Sequence, residues 1–336
     1  METSCTRSPP LRWGVLGAAR ILGKLAPAIR AAGGHLVAIG ASTRERAREG
    51  ARQHGIERAL GGYQEVLDDP DVDAVYLPLA NGLHRRWLLA AADAGKHCLG
   101  EKPLTLSAAD ARDICGRFRA AGGCVQEAFM WRHHPQAEWL SAQLTQGALG
   151  EPLRVHAAFS FPLDRPDDYR WSAAMGGGAL WDIGCYGVNA ARYFFRAEPV
   201  AASFRARFRG GPGGVDESAS GWLDFGDGRT ATVSCSFASA FAQGLEVVGR
   251  EGSARLDRPW LSVDTPTEIV TQRGYDRSVQ RFDAVNAYAS MVLHFTRIAQ
   301  STQEDAWPAE DGLAQAVALA GVLESARAAG RVWSAA

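Results

Sequence analysis

A lysine held between an acid and a proline, Gly100-Glu101-Lys102-Pro103, has the residue types for chemistry. An ammonium fixed beside a carboxylate and a rigid ring suits catalysis or the orienting of a substrate oxygen; the alternative is a surface lysine near a turn. A second set follows Gly176, Gly177 and Gly178, which allow close backbone approach to a ligand. They lead into a helix expected over 181–195, on which Asp182 and Tyr186 stand four apart and share a face, with Asn189 and Tyr193 near that stripe. A carboxylate and a phenol so placed can form an acid/base pair. They can equally be a helix-start aspartate favoured by the dipole and a core tyrosine.

The elements around Lys102 place it well. Residues 94–99 read as a helix end, a turn and a short strand, and Ser107 reads as the N-cap of the next helix. Lys102 therefore falls where a parallel strand ends, the edge at which open α/β sheets bind ligands. Upstream, 11–17 is a short apolar strand entering a glycine turn, and a helix follows to about Ala32. The pattern Gly14-x-x-Gly17-x-Ala19, with Arg20 and Ile21, is a variant dinucleotide fingerprint in a strand–turn–helix context. The next strand, 35–41, ends at Ser42, Thr43 and Arg44, where NAD enzymes often carry an acid for the ribose. Two hydroxyls and an arginine suit a 2′-phosphate, so NADP is favoured over NAD; alternatively Ser42 caps the helix and the arginines are its solvated face. Another buried strand, 73–78, leads through Leu79, Asn81 and His84 into a helix to about Ala94. Helices at 63–67 and 108–121 and a strand from Cys124 complete an alternation that indicates a parallel, doubly wound sheet.

With 336 residues, two domains are expected; 46% hydrophobic and 22% charged residues are ordinary for a globular protein. A net charge of −1 gives no electrostatic footprint for nucleic acid or an anionic membrane. Met1 to Pro10 lacks a signal-peptide apolar core, and no apolar run is long enough to span a bilayer. The six cysteines (Cys5, Cys98, Cys115, Cys124, Cys185 and Cys235) lack Cys-x-x-Cys spacing, so free thiols, no metal and a cytoplasmic location are expected.

Five stretches in order and spacing carry a resemblance over nearly the whole chain: Gly14 to Ile21, Pro78 to His84, Ala94 to Pro103, Gln126 to Arg132, and Gly176 to Tyr186. Together they resemble the Gfo/Idh/MocA oxidoreductases, named for glucose–fructose oxidoreductase and inositol dehydrogenase. The resemblance implies an N-terminal Rossmann domain (11–130), a C-terminal α/β domain (131–310) with a large, open, mostly antiparallel sheet, and a last helix (311–330) packing back on the first domain. It implies NAD or NADP as cofactor, a sugar or related polyol as substrate, and a homodimer or homotetramer formed through the C-terminal sheet. The family lysine corresponds to Lys102, often followed by a cis bond, here to Pro103. Many members carry histidine where this chain has Tyr186. Tyrosine there resembles the branch with glucose–fructose oxidoreductase, dihydrodiol dehydrogenases, xylose dehydrogenases and sugar ketoreductases.

The second half alternates at 153–161, 219–225 and 230–237, with a hairpin turn at 226–228, then at 244–249 and 252–256; this is an antiparallel sheet region. Helices are expected over 282–298 and 310–329. Loops around Trp131 and Arg132, around Arg165, Arg170 and Trp171, and around Arg273 and Tyr275 are expected to shape the substrate pocket, through guanidinium hydrogen bonds and aromatic faces. The expected cofactor-binding residues are Gly14, Gly17, Ala19, Arg20, Ile21, Ser42, Thr43, Arg44, Leu79, Asn81, His84, Glu101 and Lys102. The expected mechanism gives Tyr186 the hydroxyl proton, with Lys102 lowering its pKa and Asp182 orienting the substrate or Lys102. The competing readings are an enzyme that retains its cofactor, as in glucose–fructose oxidoreductase, and a non-catalytic NADP-binding sensor or scaffold.

Overall fold

The computed structural model describes residues 9–211, 213–261 and 264–335; Cys5 and the start of the polar N-terminus lie outside them. Six strands form the first sheet: β1 (Arg12–Leu16), β2 (His35–Gly40), β3 (Arg58–Leu60), β4 (Ala74–Leu77), β5 (His97–Gly100) and β6 (Val125–Glu127). Their order is β3-β2-β1-β4-β5-β6 and every pair is parallel. All four residues of β4 are buried, as a strand covered on both faces requires. The strand order reverses between β1 and β4, so a crevice opens at their carboxyl ends. Side chains set where the flanking helices begin. Thr43 accepts from the Arg46 backbone N–H at 3.2 Å, and Ser107 from that of Asp110 at 3.1 Å.

The second sheet has nine strands: β7 (Pro152–Ser160), β8 (Ala201–Arg209), β9 (Val215–Asp224), β10 (Thr230–Ser236), β11 (Ala242–Gly249), β12 (Ser253–Leu256), β13 (Thr267–Arg273), β14 (Asp276–Phe282) and β15 (Trp333–Ser334). The order is β14-β13-β12-β11-β7-β10-β9-β8-β15, antiparallel except that β7 and β10 run parallel, Arg154 opposite Thr230 through Ser160 opposite Ser236. Helix Cys185–Phe195 lies on the inner face. Gly187 permits that approach, since a Cβ there would come within 2.7 Å of Val233. Two helices return to the first sheet. Ala287–Ala299 packs on Leu22–Ala31 and sets Phe295 5.2 Å from the Trp13 ring, and Ala309–Arg327 lies between β8 and the helix Ala108–Ala120. No helix of the described residues is long and apolar enough to cross a membrane.

Two expected helices differ. That expected from Phe282 begins at Ala287, because Phe282 ends β14 and the Asn286 side chain caps the helix by accepting from Ala289 N–H at 3.2 Å. That expected over 181–195 opens with a π-helical turn, Leu180–Gly184, before the regular helix. Asp216 on β9 accepts the Leu180 N–H at 2.6 Å and fixes this start.

Candidate active site

A groove enclosing about 1170 Å³ runs along the carboxyl ends of β1, β2, β4 and β5 to the inner face of the second sheet. One end is lined by Gly17, Ala18, Ala19, Arg20, Ile21 and Lys24, with Ser42 and Arg46 beside them. Gly17 has φ of +132° and its N–H donates to Gly40 O at 2.9 Å. A Cβ there would lie 2.9 Å from Leu79 Cδ2, so this backbone tolerates only glycine without strain. A bare turn feeding a helix start, with cations beyond, fits the pyrophosphate of a dinucleotide. Gly14 does not line the groove. It lies inside β1, where its missing side chain leaves room for Val66, which a Cβ would approach to 2.5 Å.

At the end of β2 the groove-facing pair is Ser42 and Arg46, with an Arg46 guanidinium nitrogen 3.4 Å from Ser42 Oγ. Thr43 is occupied as the helix cap, and Arg44 points toward Gly61, where a Cβ would be 3.3 Å from its guanidinium. Of the expected Ser42, Thr43 and Arg44, Ser42 lines the groove, and Arg46 stands beside it. Leu79 and Asn81 line the groove, and Asn81 donates to Gly176 O at 2.8 Å, tying the β4 loop to the glycine run. His84 is fully buried behind it. Its ring nitrogens lie 2.9 Å from Leu79 O and Pro103 O, so it braces the two loops, and burial lowers its pKa.

The other end holds Glu101, Lys102, Asp182 and Tyr186, with Arg165 to Arg170 as one wall. The bond between Lys102 and Pro103 is cis. Lys102 Nζ donates to Asp182 Oδ1 at 3.0 Å and to the Asp182 carbonyl at 2.7 Å, and Arg170 Nε donates to Asp182 Oδ2 at 2.7 Å. Asp182 is buried, which alone would raise its pKa, but Lys102 and Arg170 hold it down to about 2. Burial works against the Lys102 ammonium, yet Asp182, then Tyr186, Cys185 and Glu101, keep it well above the usual lysine value. Both groups are therefore charged across the neutral range.

Lys102 Nζ sits 5.3 Å from the centre of the Tyr186 ring. The Tyr186 hydroxyl donates to Met130 Sδ at 3.8 Å, a weak acceptor. Burial drives this phenol well above its ordinary pKa although Lys102 pulls the other way. The expected net lowering is thus reversed, and Tyr186 is a neutral phenol. Glu101 accepts from the Tyr76 hydroxyl at 2.6 Å, and burial raises its pKa.

Several expected pocket residues stand elsewhere. Trp131 is in the core, donating to Asn189 Oδ1 at 3.1 Å. Arg132 is buried, bonded to Asn189 Oδ1 at 2.8 Å and to Asp311 at 2.6 Å, because a guanidinium in the core needs those acceptors. Trp171 packs on Phe237 under the Arg209 guanidinium rather than lining the groove. Arg273 and Tyr275 sit at the exposed tip of the β13–β14 hairpin. Arg165 and Arg170 do line it. Tyr169 comes with the expected Arg165–Trp171 loop, whereas Tyr288, from the returning helix, was not anticipated, since nothing local in the sequence brings it to this wall.

A family model described as "Oxidoreductase family, NAD-binding Rossmann fold" matches residues 11–129, and one described as "GFO/IDH/MocA C-terminal domain" matches 138–255. D-xylose 1-dehydrogenase (NADP(+)) 2 of Haloferax volcanii is 34% identical over 320 residues, covering 94% of this chain and 97% of that protein. A dTDP-3,4-didehydro-2,6-dideoxy-alpha-D-glucose 3-reductase of Actinomadura kijaniata is 33% identical over 324 residues, covering 95% and 96%. The crystal structure of KijD10, a 3-ketoreductase from Actinomadura kijaniata in complex with NADP and TDP-benzene, superposes with a TM-score of 0.87 at 29% identity, covering 96% of this chain and 98% of that one.

Proposed function

The chain belongs to the Gfo/Idh/MocA oxidoreductase family, and we propose that it interconverts a hydroxyl and a carbonyl on a sugar or related polyol carbon, using NADP(H), with Tyr186 as the proton-transfer group. The observation that carries this reading is the meeting of Lys102, Asp182 and Tyr186 on one wall of the groove that begins at the Gly17 turn. The bound nicotinamide supplies or accepts the two electrons of the reaction as a hydride. Gly17, Ala18, Ala19, Arg20 and Ile21 hold its pyrophosphate side, and Ser42 with Arg46 hold a 2′-phosphate.

Tyr186 gives its proton to the carbonyl oxygen in reduction and takes it from the hydroxyl in oxidation. Its weak bond to Met130 leaves the hydroxyl free to engage the substrate oxygen. The Lys102 ammonium stabilises the phenolate as it forms, and Asp182 keeps that ammonium charged and aimed. We assign self-association to the outer face of the second sheet, where Trp222 stands exposed opposite Thr232; light scattering reads its mass.

Fluorescence titration with NADPH and NADH, followed by turnover of aldoses and keto-sugars, tests the reading. NADPH is expected to bind more tightly. Tyr186→Phe and Lys102→Met are each expected to lower kcat by about 100-fold or more, with the cofactor Kd nearly unchanged. Near-normal turnover in both variants overturns the assignment, and binding of neither cofactor overturns the enzyme reading as a whole.

A further inference from the structure

The groove sorts its charges. At the cofactor end Lys24 and Arg46 line the wall without a carboxylate partner among the described residues. At the substrate end the basic side chains are already matched. Arg165 Nη2 lies 2.7 Å from Asp168 Oδ2, Asp168 Oδ1 accepts from the Arg170 backbone N–H at 3.1 Å and from Nη1 at 3.2 Å, and Arg170 Nε reaches Asp182, which holds Lys102. Arg165, Asp168, Arg170, Asp182 and Lys102 thus form one line of alternating charge along the wall. The exposed carboxylate of Asp167 lines it as well, and Glu101 stands beside Lys102. The Asp168 side chain is only 6% exposed, so its pair with the partly buried Arg170 is poorly screened by water, whereas its pair with Arg165, whose side chain is 49% exposed, is partly screened.

Resting on the sugar oxidoreductase reading, we propose that the substrate half of the groove selects an uncharged sugar and that Asp168, by neutralising Arg165 and Arg170, is the residue that enforces the choice. A sugar phosphate or a nucleotide-diphosphate sugar brings anionic charge that meets no spare cation there and must pass Asp167 and Asp168. Leaving that charge unpaired is the repulsive element that discriminates against it. The hydroxyls of a neutral sugar need only hydrogen-bonding groups, and Tyr186, Lys102, Tyr169 and Tyr288 offer them.

The test is a matched-pair binding experiment on the NADP-loaded enzyme, by calorimetry at low salt, with aldoses and ketoses against their monophosphates and one nucleotide-diphosphate sugar. In the wild type every phosphate is expected to bind more weakly than its parent sugar. Asp168→Asn keeps an oxygen for the Arg170 N–H but removes the charge. It should improve phosphate binding relative to the parent sugar by about fivefold, the effect of one charge several ångströms away in a partly screened site. Asp167→Asn, at an exposed position, should act in the same direction and more weakly, and 0.5 M salt should shrink both gains. Wild-type preference for a phosphorylated or nucleotide-linked sugar overturns the proposal, as does an unchanged ratio in both variants. Absence of NADPH-linked turnover with every sugar instead overturns the enzyme reading, while the binding ratios still decide this one. Failure of both members of every pair to bind overturns both.

Discussion

Asp182→Asn isolates the electrostatics of the site, because asparagine copies a protonated carboxyl in shape and removes only its charge. In the folded protein Asp182 is held at about 2 by Lys102 and Arg170, against an ordinary 3.8. Each pKa unit is 1.36 kcal/mol, so the carboxylate contributes on the order of 2 kcal/mol. The folded value is depressed, so this stability is fully present above the unfolded value and is lost as pH falls toward 2. Urea unfolding should show wild type more stable than Asp182→Asn by about 2 kcal/mol from pH 8 to 5, with roughly half that gap left near pH 3. Asp182→Ala should cost more, about 3–5 kcal/mol, because it strands two cations and also removes their acceptor. The 2.7 Å bond from Lys102 to the Asp182 carbonyl uses the backbone, which neither substitution removes. Turnover of Asp182→Asn should therefore fall less than that of Lys102→Met. A gap of zero at pH 7.5, or one that does not narrow by pH 3, refutes the reasoning.

Arg46→Ala should weaken NADPH by roughly tenfold or more, as loss of one charged hydrogen bond does, and leave NADH almost unchanged; equal loss for both cofactors places the 2′-phosphate elsewhere. Glu127 accepts from Leu104 N–H at 2.8 Å, but its other oxygen is buried without a partner, and burial pushes its pKa up to about 8. A raised folded value means that its stability is complete below the unfolded value and declines as pH rises through 8. Glu127→Gln should match wild type in urea unfolding at pH 4 and exceed it at pH 8; the opposite trend would mean that Glu127 is an ionised partner of Arg132 and Arg192.

Most of the first sheet was readable because β1, β2 and β4 are short apolar runs closed by a turn, and the turn chemistry was local at Gly17 and Ser107; β3 was not readable, because Arg58–Leu60 is only three half-buried residues beginning with an arginine. The π-helical turn at Leu180–Gly184 was not readable, because the hydrogen bond that fixes its start comes from Asp216, 36 residues further on. The β13–β14 hairpin gave no alternation, since nearly all of β14 is exposed and its sequence has no face to hide. Arg46 lines the groove while Arg44 lies near Gly61, because positions two apart on a helix are about 200° apart around its axis.

At the chemical centre, residue types were legible and signs were not. A lysine near a tyrosine suggests a lowered phenol pKa, and Lys102 does pull that way. The magnitude is decided by burial, which depends on rings from Phe129, Phe159 and Trp260 that enclose Tyr186 at 5.5 to 5.6 Å and come from separate parts of the chain. Their effect prevails, and Tyr186 rests as a phenol. In the role proposed for Tyr186, a resting phenol already holds the proton that a carbonyl oxygen needs in reduction. Oxidation first requires that proton to leave. A kcat/KM for oxidation that rises with pH up to 10, beside a flat profile for reduction, is the kinetic form of that asymmetry, and matching profiles in the two directions would remove Tyr186 from the proton path.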